Sequence, residues 1–474
     1  MKLPKYIFFF IFCKSGRWGH RPRVSAPFGV PTNRNILRFI FLYYLSFFGT
    51  DLHAQELLTP DEAIATALQN NYEIRLSRND SIISAIDYSY AKAAFLPRIN
   101  ANGGLLFNKA NQKQKFADGT DRKANGIRST NINGSIALNW VLFDGYKMFA
   151  TRDKLREFLL LGDLIIKNQI TDIVADVIKT YYNIVRQKQQ LKAVLEQMGV
   201  NRERLKLAEL KLKVGLGIKP DVLQAKLDLN AQISTQLKQE TLIAQLKGDL
   251  NRIMAVDKGV DYEVLDSIPI DTTLTLDAIK TNITDSNPFM LLTKKNIDIA
   301  NITLRERRAE RLPTVSFNSA YNFNKTNNNT AINPFSPIYN LNKGFNYGLT
   351  ANIPIFNNYA AKRNIRQAQA DIDFRRLTLE NQMSLLVSNV ENIFRAYELQ
   401  KKQLSLEETN IILAKENVFI TYERVKLGVT TFLELREAQK SLEDAYNRLI
   451  AARYDTKVAE TELLRLKGNL VRRQ

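Results

Sequence analysis

The chain repeats itself, and that repetition limits its fold more than any other feature. Residues 93–99 (AAFLPRI) resemble residues 309–315 (AERLPTV) at an offset of 216. From about Ile132 onward the two halves align without a gap at an offset of 213. Val141-Leu142-Phe143-Asp144-Gly145 meets Pro354-Ile355-Phe356-Asn357-Asn358, Gly215 meets Gly428, Asp221 meets Glu434, and Ala225 meets Ala438. A period this long is not a solenoid unit; it marks a duplicated domain. The expected division is a leader over 1–54, a first repeat over 55–260 and a second over 261–474.

Each half mixes two periodicities. Ile132, Gly134, Ile136, Leu138, Trp140 and Leu142 alternate with Asn133, Ser135, Ala137, Asn139 and Val141. In the second half Val315, Phe317, Tyr321 and Phe323 alternate with Ser316, Asn318, Asn322 and Asn324. Phe345, Tyr347, Leu349, Ala351, Ile353 and Ile355 do so with Asn346, Gly348, Thr350 and Asn352, and residues 99–108 are a weaker case. Period two places one set on each face of a strand. Runs of roughly ten to twelve residues are long enough to cross a bilayer as tilted strands, with the aromatic face toward lipid and the asparagine face toward water. The polar stretches 109–130 and 325–343 read as extracellular loops joining two hairpins.

The remainder reads as helix. No proline interrupts about 147–213, whose apolar seam runs Ile170, Ile173, Val177, Tyr181, Ile184, Leu191, Leu195 and Met198, with Lys188 as a polar intruder. Its partner runs Leu386, Val390, Ile393, Tyr397, Leu404 and Ile411, broken by Gln400 and Glu407. Spacings of three and four are those of coiled coils. Helices are also expected at about 221–254 and 431–467, and ahead of the strands at about 61–94 and 276–310. Four strands cannot close a barrel in lipid, where an open edge is forbidden. Three copies would supply twelve, with the long helices forming a tube below. The expected fold class is therefore a mixed membrane α+β protein, a duplicated protomer closing as a trimeric barrel and helical tunnel.

The apolar run 36–49, preceded by Arg34 and followed by Leu52-His53-Ala54, reads as a secretory signal cut after Ala54. A second apolar run, Ile7–Phe12, is best explained by an over-extended start; Phe12 is too large for lipidation at Cys13. Both histidines, His20 and His53, and the sole cysteine lie in this leader, so the mature chain holds neither imidazole nor thiol. That removes His acid–base chemistry, Cys nucleophiles, His/Cys metal sites and disulfides. No catalytic, cofactor or metal residues are expected. The leader holds eight Lys/Arg and one Asp, so the mature chain carries 59 basic and 47 acidic side chains, a net +12. These cations alternate with Glu and Asp along helical stretches, which fits solvated faces and not nucleic acid.

Taken in order along the mature chain, these features resemble the TolC outer-membrane efflux family. The resemblance rests on the leader, the duplication, and Leu-Thr-Pro-Asp-Glu-Ala-Ile at 58–64. It rests also on Leu96-Pro97 and Leu312-Pro313, and on the turns Phe143-Asp144-Gly145 and Phe356-Asn357-Asn358. Last come the glycine tips: Val214-Gly215-Leu216 ahead of residues 221–225 (DVLQA), and Leu427-Gly428-Val429 ahead of residues 434–438 (ELREA). The resemblance implies a homotrimer in the outer-membrane lipid, a periplasmic helical tunnel, and a passive exit duct of an efflux or type I secretion system. It further implies a periplasmic adaptor meeting both tips, an inner-membrane pump of RND or ABC type, and an acidic ring at the periplasmic mouth matching Glu434 and Glu437. Some relatives lock the mouth with an arginine two residues after the second tip glycine; Thr430 stands there. The competing expectations are a periplasmic coiled-coil adaptor, which would lack the strands, a structural stalk, which would lack the glycine tips, and an enzyme. Residues 215–220 (GLGIKP) suggest a phosphate loop only loosely, without the strand or spacing one needs.

Overall fold

The computed structural model describes residues 57–257, 261–333 and 335–470, which leaves the leader outside the described residues. Strand β1 is Leu57–Leu58, followed by helices α1 (Pro60–Asn70) and α2 (Tyr72–Ser89) and a 3-10 turn, Ala91–Phe95. Then come β2 (Arg98–Lys115), β3 (Asp121–Phe143), α3 (Lys147–Lys213) and α4 (Lys219–Met254). Next in order are β4 (Glu263–Val264), α5 (Leu276–Lys280), α6 (Ile283–Ser286) and α7 (Pro288–Ala309). Strands β5 (Thr314–Asn328) and β6 (Tyr339–Asn352) and helices α8 (Ala360–Lys426) and α9 (Phe432–Lys467) complete the chain.

Strands β2, β3, β5 and β6 form one antiparallel sheet in that order. Its register sorts the alternating residues as expected. Ile136 pairs with Ala101 and Tyr321, and Tyr321 with Phe345, so the apolar side chains share one face. Asn133 pairs with Asn324, and Asn324 with Asn342, on the other. The amides there satisfy one another across strands: Asn139 Nδ2 donates to Asn318 Oδ1 (2.5 Å), and Asn318 Nδ2 donates to Thr350 Oγ1 (3.1 Å). The expected loop 109–130 is corrected. Pairing continues from Lys109↔Arg128 to Lys115↔Asp121, and only residues 116–120 turn. Likewise β5 runs on to Asn328 and β6 begins at Tyr339. On β2 and β3 beyond Lys109 both faces are mostly polar, so strand there leaves no periodic signature, whereas at the start of β6 Tyr339 and Leu341 continue the alternation.

The sheet passes into the helices through a turn with two successive left-handed residues, Gly145 and Tyr146 (φ 71° and 67°), repeated as Asn358 and Tyr359 (53° and 58°). A side chain at Gly145 would press its Cβ to 2.5 Å from the Ala309 carbonyl oxygen, so close approach as well as φ requires glycine. Aromatic rings gather here. Phe149 meets Phe95 edge-on, Phe143 meets Tyr146, Phe356 meets Tyr359, and Trp140 Nε1 donates to the Phe95 carbonyl (2.8 Å).

Helices α3 and α8 have 67 residues each, and α4 and α9 have 36 each, every boundary displaced by the same 213. At 1.5 Å per residue the longer pair are roughly 100 Å rods. Burial repeats too: Ile173, Val177, Ile184 and Met198 match Leu386, Val390, Tyr397 and Ile411, all in the core. Leu195 departs from the expected seam and is 46% exposed. The expected helices at 61–94 and 276–310 are each broken. Asn71 ends α1 and caps α2, its Oδ1 accepting from the Glu73 and Ile74 N–H groups; Asn282, at φ 57°, and the Asn287-Pro288 step divide the second. Asn71 Nδ2 also donates to the Ile253 carbonyl (2.7 Å), and Asn287 Nδ2 to the Leu466 carbonyl (2.8 Å), so one buried amide locks each return helix at matching positions.

Candidate channel wall and periplasmic tips

Toward the tips the helices lie side by side in the row α4–α3–α9–α8, so α4 and α8 are its margins there; toward the sheet α7 packs between α3 and α8, and α2 on α3. On α8 an exposed stripe of Leu399, Leu406, Leu413 and Ile420 recurs every seven residues, and α4 exposes Leu223, Leu227 and Leu237. The sheet has matching margins, because among the described residues β2 pairs only with β3 and β6 only with β5. Its apolar face is bare as well: Ile136, Phe345, Tyr347 and Leu349 are each more than half exposed. No described helix is long and apolar enough to cross a membrane.

Both tips are Schellman turns. After α3, Val214 is followed by Gly215 at φ 78°, with the Leu216 N–H donating to the Lys211 carbonyl (2.8 Å). After α8, Leu427 is followed by Gly428 at φ 76°, with the Val429 N–H donating to the Arg424 carbonyl (3.0 Å). Among the described residues nothing lies within 4 Å of a Cβ built at either glycine, and Val214, Leu216, Leu427 and Val429 are all more than half exposed. The two tips are therefore apolar, projecting and sterically open.

Glu434 and Glu437 are both exposed, one turn apart on the first turns of α9. Glu434 has a structural occupation: its N–H donates to Thr431 Oγ1 (3.3 Å), and its carboxylate accepts the Thr430 hydroxyl. The first bond is the N-cap bond of α9, with Thr431 as the cap; the second ties the carboxylate to the residue before it. Glu437 borders a cleft lined by Arg204, Asp228, Arg436 and Gln439. Arg204, only 3% exposed, donates to Asp228 and to Gln439 Oε1 (2.8 Å), while Arg436 Nε lies 3.4 Å from the same Asp228 carboxylate. This cross-link of α3, α4 and α9 was not evident in the sequence. Asn417 and Ser441 occupy the equivalent places in the second half, so the duplication does not flag it.

A second link between the halves lies higher on the rods. Glu462 accepts from Lys179 (2.9 Å) and Arg465 (2.6 Å), and Arg465 donates to Asp172 (2.8 Å). Burial works to raise the Glu462 carboxyl, but these bonds outweigh it and hold it below the ordinary glutamate value. Burial moves the Tyr182 and Tyr397 phenols up to about 12.

The described residues thus form a sheet with two unpaired outer edges, bare on its apolar face and amide-lined on the other, continued by a row of helices with projecting glycine tips. The model of the outer membrane efflux protein family matches residues 63–256 and 282–469. The chain belongs to that family. It is 21% identical over 418 residues to the alkaline protease secretion protein AprF of Pseudomonas aeruginosa, covering 84% of each. It is 22% identical to the outer membrane protein TolC of Vibrio cholerae, covering 83% of this chain and 86% of that one. Among solved structures, the CmeC outer membrane channel of Campylobacter jejuni matches with a TM-score of 0.71 at 16% identity, over 86% of this chain and 85% of that one. The fold is thus that of the TolC-like outer-membrane channels.

Proposed function

We propose that this chain is the outer-membrane exit duct of an efflux or type I secretion system, a passive conduit and not an enzyme, working as a homotrimer. The observation that carries the reading is the pairing of open margins: free strand edges in the sheet and apolar stripes on α4 and α8 fall on both sides of one protomer. In lipid an unpaired strand edge costs several kcal/mol per group, roughly, so the four strands need partners. Three copies give a twelve-stranded wall, amides inward, and bring the α8 stripe of one copy against α4 of the next. The tandem repeats 55–260 and 261–474 contribute alternate helical hairpins, whose tips, 214–216 and 427–429, meet a periplasmic adaptor serving an inner-membrane pump. Glu434 and Glu437 ring the periplasmic mouth, Glu434 combining that charge with its bonds to Thr430 and Thr431. With Thr430 in place of arginine, closure of the mouth relies on other contacts.

The test is conductance of the purified protein in planar bilayers, together with its mass in detergent. A cation-preferring pore of trimer mass is expected, and Glu434→Gln with Glu437→Gln should weaken both the preference and block by multivalent cations. A monomer without conductance refutes the duct. A trimeric pore whose selectivity ignores the double substitution refutes the acidic ring alone.

A further inference from the structure

The membrane-crossing sheet carries a marked excess of positive charge. Across 98–143 and 314–352 there are nine Lys/Arg and two acidic residues, Asp118 and Asp121, both at the β2–β3 turn. Four of the cations share the face of the apolar side chains. Lys109 lies two residues beyond Phe107 and pairs with Arg128, four residues from Ile132. Ile132 pairs with Lys325, two beyond Phe323, and Phe323 pairs with Lys343, two from Phe345. Among the described residues none of the four forms an ion pair; the one pair on the outer sheet is Lys113–Asp121 (3.2 Å). Two of them instead sit over rings of the same face, Lys343 over Phe323 (5.7 Å) and Lys325 over Tyr339 (5.6 Å).

Their height is informative. The helix-bearing end of the sheet is marked by Arg98 and the aromatic cluster around Trp140. Eleven residues separate Arg98 from Lys109, about 36 Å along a strand. At a tilt near 40° this is roughly 28 Å across the membrane, close to the height of a barrel's apolar band. Counted along their own strands, Arg128 lies eleven residues from Asn139, which pairs with Arg98, Lys325 eleven from Thr314 and Lys343 nine from Asn352, so all four stand near the outer border of the apolar band, facing lipid.

We infer that Lys109, Arg128, Lys325 and Lys343 form a binding row for the phosphate groups of an outer-leaflet glycolipid. The inference rests on the proposed duct only in taking this sheet as the membrane wall. Ammonium and guanidinium groups set beside exposed aromatic side chains match a molecule with anionic phosphates above acyl chains. A cation near a charged lipid surface contributes a factor of about five in affinity. The row is thus expected to distinguish lipids by phosphate and not by chain.

The experiment uses the purified full-length protein and native mass spectrometry. It is titrated with bisphosphorylated lipid A, with the same lipid stripped of both phosphates, and with zwitterionic phosphatidylcholine. Preference for the phosphorylated form should exceed about fivefold. It should vanish in the variant K109Q/R128Q/K325Q/K343Q and persist in K192Q/K219Q/K238Q/K402Q, which removes the same charge from exposed positions on α3, α4 and α8. K109Q/R128Q, altering two exposed side chains, should lower the preference at least about twofold and serves if the fourfold variant fails to insert. Equal preference in wild type and either row variant, or equal loss in the rod control, overturns the inference. Conductance is read on the same samples. A protein that conducts but ignores phosphate defeats the binding row alone, whereas one that never inserts defeats the duct.

Discussion

Replacing Gly428 separates a turn from a docking point. At φ 76° any side chain with a Cβ incurs a left-handed cost of about 1–2 kcal/mol, and a branched one lies at the upper end. Among the described residues nothing lies within 4 Å of the added Cβ, so packing against them contributes no further cost. The Schellman bonds from Gly428 to Val425 (3.1 Å) and from Val429 to Arg424 (3.0 Å) remain available. Against a stability of about 5–15 kcal/mol, Gly428→Val should leave the chain folded, and the sheet, roughly 100 Å away, unaffected. Asparagine tolerates the left-handed region much better, so Gly428→Asn should lose little stability while adding comparable bulk. The assay is efflux and adaptor cross-linking in a host lacking its own duct, beside the thermal midpoint of each purified variant. If the tip approaches a partner backbone, both variants insert, both lose cross-linking and efflux, and only Val shows a clear drop in midpoint. Full function in Gly428→Asn with loss only in Gly428→Val would refute that reasoning, leaving the tip as a turn.

Gly145→Ala should be the more damaging glycine change, by about 2–5 kcal/mol, because left-handed strain adds to a 2.5 Å contact with the Ala309 carbonyl; thermal unfolding in detergent checks it. Asn71→Ala and Asn287→Ala should each destabilise by about 1–3 kcal/mol, since each removes a helix cap and leaves a return-helix carbonyl unpaired; similar losses in the two would show the repeated lock at work. Glu462 is held below its ordinary value, so its contribution is complete above the unfolded value near 4.3 and fades as pH falls through the folded one. Glu462→Gln should therefore flatten the acid side of the stability–pH curve below about pH 5, and an unchanged acid limb would show that the Lys179–Glu462–Arg465 link contributes little.

Much of this molecule is written in local pattern. Period-two alternation from Ile132 to Leu142 settles which side chains share a sheet face, because successive Cβ atoms point oppositely whatever the strand meets. The spacing of Ile173, Val177 and Ile184 marks the buried side of a helix for the same kind of reason. Glycine at 215 and 428 announces left-handed turns because other residues resist that φ. The register of duplication even carried the helix boundaries, each displaced by 213. Other features had no local signature. Strand beyond Lys109 is polar on both faces, so only pairing with Arg128 and its neighbours shows that it is strand and not loop. Leu195 keeps the seam's spacing yet is exposed, and Glu434 reads as a free carboxylate until Thr430 and Thr431 are seen to hold it. Arg204 looks like one more charge on a solvated helix; its burial against Asp228 and Gln439 depends on three helices meeting. The amides of Asn71 and Asn287 likewise find their carbonyls 182 and 179 residues away. Backbone geometry acts between neighbours in sequence and is legible there, whereas burial and hydrogen-bond partners are properties of surfaces that only the tertiary structure brings together.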